Sequence, residues 1–173
     1  MSGFWEKSGN LTPLGKNTVR CLLCLYALAV CAMCFLPQPF RQVKTPGIEH
    51  YGRLVVLLIP FNSLVSLGKI RSLWQLLWLV GQNISNILLL YPLVLLLLLL
   101  KKALRSLKRT AVLGFSISLF IEVSQLLLDF LFNVNRVFEI DDLWTNTLGS
   151  ILAFCSYQWL QRKIKQRNSS QLA

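Results

Sequence analysis

Glu122 stands inside one strongly apolar segment, residues 111–132, and Asp141 and Asp142 stand at the entrance to another, residues 143–160. An ionised acid near the centre of a membrane-spanning helix costs roughly 2.5–3.5 kcal/mol on insertion scales, so such groups mark a functional site or a paired network. Ser118, Glu122, Gln125 and Asp129 recur at i, i+4, i+7 and i+11, which stacks them on one helix face opposite Phe, Leu, Ile and Val. Asp142, Asn146 and Ser150 are again four apart and form a second polar stripe. Further upstream, Asn86 precedes an almost unbroken apolar run, where an amide is expected to hydrogen-bond across helices. Lipid offers no hydrogen bonds, so these stripes must face partner helices or a wet cavity, and Glu122 must be protonated, paired or hydrated. The chemistry such carboxyls can supply is proton transfer, general acid–base work or polar recognition.

The elements that position them are membrane helices. The chain has 54% apolar residues and a mean hydropathy of +0.55, more than a soluble domain of 173 residues needs. Apolar runs at 21–36, 73–100, 111–132 and 143–160 each approach the roughly 20 residues that cross a bilayer as helix. The expected fold is all-α: a polytopic membrane protein of about four transmembrane helices, one domain over residues 1–173 with short tails at about 1–17 and 162–173. Between helices one and two, residues 54–67 are apolar but too short to cross and are interrupted by Pro60, which predicts an interfacial or re-entrant segment.

A net charge of +11 could suggest nucleic acid, but the cations flank the apolar runs and no nucleic-acid partner is expected. Lys7, Lys16 and Arg20 precede helix one; Lys101, Lys102, Arg105, Lys108 and Arg109 separate helices two and three; Arg162, Lys163, Lys165 and Arg167 follow helix four. Four crossings put all three groups on one face, which the positive-inside rule makes cytoplasmic together with both termini. Arg41, Lys44, Arg53, Lys69 and Arg71 in the opposite loop run against that rule. Apolar character continuing to Leu36 argues against cleavage of helix one as a signal segment.

Cys21, Cys24, Cys31 and Cys34 form two C-x-x-C pairs, but ten helical residues separate them by roughly 15 Å, far beyond one zinc site. They are expected to form a stripe that permits close helix packing. The single histidine, His50, falls in the outer loop, and no H-E-x-x-H, Ser/His/Asp or Cys/His set occurs. The expectation is therefore a non-enzymatic protein without a metal or other cofactor.

Residues 86–92 (N-I-L-L-L-Y-P), 116–125 (S-I-S-L-F-I-E-V-S-Q) and 136–149 (R-V-F-E-I-D-D-L-W-T-N-T-L-G) together resemble the VanZ-like family of bacterial membrane proteins. Ile59-Pro60-Phe61 is similar to that family's N-L-I-P-F element without its asparagine, and Glu139 stands where members usually carry aspartate. The resemblance points to Asn86, Glu122, Gln125, Arg136, Glu139, Asp142 and Asn146, to which the stripe adds Ser118. It implies a bacterial cell-membrane protein with a role in resistance to teicoplanin-type glycopeptides, exerted at the outer face where lipid-linked wall precursors are exposed.

Three functional readings follow. One is a non-enzymatic factor that contacts membrane lipid, a lipid-linked wall precursor or the glycopeptide itself, with Arg136 available for a phosphate or carboxylate. Another is an intramembrane enzyme acting on a lipid-linked substrate through Glu122 or Asp142, with a divalent ion among the acids. The third is a small proton-coupled transporter, to which four helices without an internal repeat are poorly suited. A structural clamp of Glu122, Gln125, Arg136 and Asp142 is compatible with the first. Oligomeric state is left open.

Overall fold

The structure, a computed structural model, describes residues 4–6, 10–37, 47–65, 68 and 72–170. Four long helices run up, down, up and down: α1 (Pro13–Phe35), α3 (Leu73–Leu100), α4 (Leu107–Phe132) and α5 (Ile140–Ser170). Between α1 and α3 lie β1 (Glu49–Tyr51), β2 (Leu54–Leu57) and the single turn α2 (Asn62–Val65); β3 (Phe138–Glu139) leads directly into α5.

Local chemistry sets the helix starts. The side chains of Thr12, Ser72 and Ser106 cap α1, α3 and α4 by accepting from the backbone N–H three residues on, at 3.1, 3.2 and 3.3 Å. Pro13 occupies the first turn of α1, where its missing N–H costs nothing. Pro92 lies inside α3 and removes the N–H that would have met the carbonyl of Leu88. The Tyr26 hydroxyl of α1 fills that gap, donating toward Leu88 O and Leu89 O at 3.3 and 3.1 Å. Thus the helix interruption becomes an α1–α3 tie.

Three of the helices, α1, α3 and α4, are long and apolar enough to cross a bilayer. α5 has the length, 31 residues, but not the composition, because its polar stripe and basic tail lower its mean hydropathy. It packs parallel to α3 and antiparallel to α4, and it continues to Ser170 rather than ending near residue 160. The close packing needs glycine at two places. A Cβ on Gly149 would collide with the carbonyl of Ile87 in α3, and one on Gly114 would collide with the Ser150 side chain.

The bundle divides into halves. Leu90, Val94, Leu98, Ile121, Ala153, Phe154 and Tyr157 form its apolar core, so the leucine run at 95–100 is partly interior and not only lipid-facing bulk. The half nearer residue 140 holds Ser118, Glu122, Gln125, Asp141, Thr145 and Asn146, all buried. Leu22, Leu25 and Leu28 on α1, Ile84 and Leu88 on α3, and Phe120 and Leu127 on α4 point outward, as lipid-facing residues should.

A small sheet closes the polar half. β1 pairs antiparallel with β2 around Gly52, whose φ of 65° suits a two-residue hairpin turn. β2 pairs parallel with β3, Val56 opposite Phe138 and Leu57 opposite Glu139. Residues 54–57 are therefore a strand within the apolar segment at 54–67, which the sequence reads as interfacial or re-entrant; residues 66–67 lie outside the described residues. Arg41, Lys44, Lys69 and Arg71 lie outside them too. The cysteine stripe is corrected, since Cys21, Cys24 and Cys31 are exposed and only Cys34 of the four packs inside. His50 is exposed on β1.

Candidate functional site

Six of the eight expected residues meet where α3, α4 and α5 approach one another beneath the sheet. Asn86 of α3 donates through Nδ2 to the Asp142 carboxylate at the start of α5. Ser118 of α4 donates to the backbone carbonyl of Asp142 at 3.0 Å, and Asn146 Nδ2 donates to Ser118 Oγ at 2.9 Å. The Glu122 and Asp142 carboxyls lie within hydrogen-bonding reach of each other. Two ionised carboxylates only accept, so a bond between them requires one shared proton. Glu122 is 1% exposed, and the backbone N–H of Glu139 reaches its Oε2 at 3.0 Å.

The sheet places Glu139. Its parallel pairing with Leu57 fixes the β3 backbone over α4, and the chain then turns at once into α5. The preceding reversal uses Asn133 and Asn135, both left-handed at φ 54° and 58°, a conformation asparagine tolerates better than most side chains. Glu139 in turn accepts from Gln82 Nε2 of α3 at 2.7 Å.

Gln125 and Arg136, the remaining two, belong to an adjacent layer facing α1. Gln125 Nε2 donates to Cys34 O at 3.0 Å, while Arg136 Nη2 donates to Met33 O and Leu36 O at 2.6 and 2.7 Å. These carbonyls end α1 and lack intrahelical partners, so both side chains serve as its C-terminal cap. The guanidinium is therefore engaged with the protein at that nitrogen. Arg136 remains close enough to Glu122 to act on it electrostatically. Its backbone N–H also meets Asp129 Oδ1 at 3.2 Å.

Two participants fell outside the expected set. Gln82 sits one turn before Asn86 on the same face of α3, a spacing that could have revealed it. Asp141 points the other way from Asp142: its Oδ1 accepts from Phe61 N–H at 2.6 Å and Trp144 Nε1 at 3.1 Å. Phe61 has a φ of 55°, uncommon for a bulky residue, and its ring lies 5.5 Å from that of Trp144. This anchor joins positions 61 and 141, and no local pattern announces it.

Among the described residues, no group of three His, Cys, Asp or Glu side chains is arranged to hold a metal ion. What the cluster can do is hold a proton between carboxyls and present hydrogen-bond acceptors in a setting shielded from water.

Fold and site together define a polytopic helical membrane protein with an acid-rich polar cluster buried at one end of its bundle. The sequence signature of the VanZ/LLP1 family matches residues 23–161, most of the chain and all of the cluster. The chain belongs to the VanZ/LLP1 family. No curated protein and no solved structure gives a match to it.

Proposed function

We propose that this protein contributes to resistance to teicoplanin-type lipoglycopeptides in a bacterial cell membrane, by a non-enzymatic effect at the outer face. The observation that carries this reading is the separation of charge: the buried acids gather under the sheet, while the flanking cations of α3, α4 and the α5 tail gather at the opposite end. If the cationic end is cytoplasmic, as the positive-inside rule expects, the cluster lies beneath the outer surface, where lipid-linked wall precursors and a lipid-tailed drug meet. Polar groups held among apolar helices suit contact with an amphiphile, whose headgroup and chain need both environments.

The test compares teicoplanin and vancomycin inhibitory concentrations in a susceptible Gram-positive strain expressing the wild type or Glu122→Gln at matched membrane abundance. A rise selective for teicoplanin that vanishes in the variant is expected. No rise with the wild type would remove the drug reading for this chain.

The Glu122–Asp142 carboxyl pair favours a second reading, an intramembrane enzyme using one carboxyl as acid and the other as base on a lipid-linked substrate. Chemical change of a lipid-linked precursor in proteoliposomes, abolished by Glu122→Gln, is its expected signature.

A further inference from the structure

The residues before α1 pack at the end of the bundle that lacks the sheet. Trp5 pairs antiparallel with Leu11, the Glu6 N–H donates to Asn10 O at 2.8 Å, and the Thr12 N–H donates to Phe4 O at 3.1 Å. Between these residues and the C-terminus of α3, at the turn Lys102–Leu104, lies a cavity of about 120 Å³. Its walls are of two kinds. Leu11, Leu99 and Leu100 are apolar, whereas Lys16, Lys102 and Arg105 are cationic, with Glu6 as their one acidic neighbour in the lining.

Charge does not balance there: three cations share the cavity with one carboxylate, so two positive charges are in excess. The side chains of Lys16 and Lys102 are exposed and make no hydrogen bond or ion pair with the described residues. Arg105 is held differently. Its Nε and Nη2 donate to Leu98 O and Leu99 O at 2.9 and 3.0 Å, which fixes the guanidinium and leaves Nη1 without an acceptor among the described residues. A donor already held in place loses little freedom when it meets an anion.

Depth narrows the choice of anion. α3 has 28 residues, about 42 Å at 1.5 Å per residue, which matches a bilayer together with its headgroups. Leu99 and Leu100 end that helix, so the cavity lies at headgroup depth, where apolar and cationic walls meet.

We propose that this cavity is a binding site for the phosphate of an anionic membrane lipid, met by Lys16, Lys102 and Arg105, with the glycerol end of its chains against Leu99 and Leu100. Basic pockets between membrane helices take lipid phosphates in this way. A zwitterionic headgroup carries the same phosphate without net charge, so the excess of positive charge discriminates against it. A soluble phosphate has the charge but gains nothing from the leucines.

The site lies at the opposite end of the bundle from the carboxyl cluster, and its test does not depend on drug resistance. The full chain is placed in nanodiscs of phosphatidylcholine and phosphatidylglycerol with matched chains, which present the same lipids to both ends, and the lipid retained on release is read by native mass spectrometry. One phosphatidylglycerol per chain is expected in preference to phosphatidylcholine, with retention at least about tenfold weaker in the double variant Lys16→Gln, Lys102→Gln. The double variant Lys101→Gln, Lys108→Gln removes the same charge from the same end but outside the cavity lining, and should retain the lipid. No preference for phosphatidylglycerol overturns the site on the wild type alone. Equal loss in the two double variants overturns it too, since the charge of the whole face would then suffice. Displacement of the lipid by an equal concentration of inorganic phosphate overturns the lipid assignment and gives the cavity to a soluble anion.

Discussion

The two ends of the bundle each carry an arginine that closes a helix terminus, yet they use charge in opposite ways. At the end without the sheet, Arg105 donates to Leu98 O and Leu99 O at 2.9 and 3.0 Å, capping α3, with its guanidinium 5.0 Å from the Tyr157 ring centre. Lys101, Lys102, Lys108 and Arg109 around it are exposed. At the sheet end Arg136 caps α1, but the charge gathered beside it is acidic and mostly buried: five of the chain's seven carboxylates lie between positions 122 and 142. Exposed like charges are solvated and cheap, so they are free to act as an orientation signal. Buried like charges must share protons, find donors or bind something, so that end is where chemistry is expected.

The sharpest way to break this contrast is to pry the helices apart at the sheet end. Gly149→Ala drives a methyl into the Ile87 carbonyl and is expected to destabilise the bundle by about 3 kcal/mol, separating Asn86 from Asp142. Gly81→Ala is the control, because a Cβ there meets nothing, and a gain of about 0.5–1 kcal/mol is expected. Membrane abundance and thermal aggregation in detergent compare the pair; equal behaviour would mean that the α3–α5 approach is not fixed by Gly149. Next, Arg136→Ala should cost about 2 kcal/mol, since it releases carbonyls about a hundred positions away in sequence, at Met33 and Leu36. Arg105→Ala, whose hydrogen bonds span six and seven residues, should cost nearer 1 kcal/mol by the same assay. A reversed order would locate the critical cap at the other end.

How much of this contrast can be read from sequence depends on the range of the contact. The helices are legible because each is a long apolar run, and the stripes on α4 and α5 are legible because Ser118 and Glu122, like Asp142 and Asn146, are separated by one turn. The sheet is not: strands of two to four residues carry no alternation, and β2 meets β3 across some eighty positions. The cysteine stripe misleads because small side chains on a membrane helix satisfy lipid and protein neighbours equally well. Arg136 is less legible: its charge suggests an anionic ligand, and sequence does not display that its Nη2 meets the carbonyls at the end of α1.

Asp141 and Asp142 sharpen the comparison within a single turn. Asp142 faces the cluster, while Asp141 ties the Phe61 backbone and the Trp144 indole to α5. Asp141→Ala should therefore free the segment around α2 at a cost of about 2 kcal/mol while leaving the Asn86–Asp142 bond in place. Faster proteolysis confined to that segment is the expected result. Proteolysis spreading into α3 and α5 would show that the two acids act as one unit.

The smallest expected effect on stability is at the cationic end. Lys101, Lys102 and Lys108 are exposed, so replacing all three by Gln should change stability by less than about 0.5 kcal/mol. Orientation should respond instead, because loop cations, unlike carboxylates, bias which side of the membrane a loop occupies. Reporters fused to the C-terminus should read a cytoplasmic location for the wild type and a mixture for the triple variant, with Arg105 and Arg109 still holding part of the population in place. A destabilisation comparable to that of Arg136→Ala would mean that these lysines are structural, and the division of labour between the two ends would fail at the end where charge is most abundant and least buried.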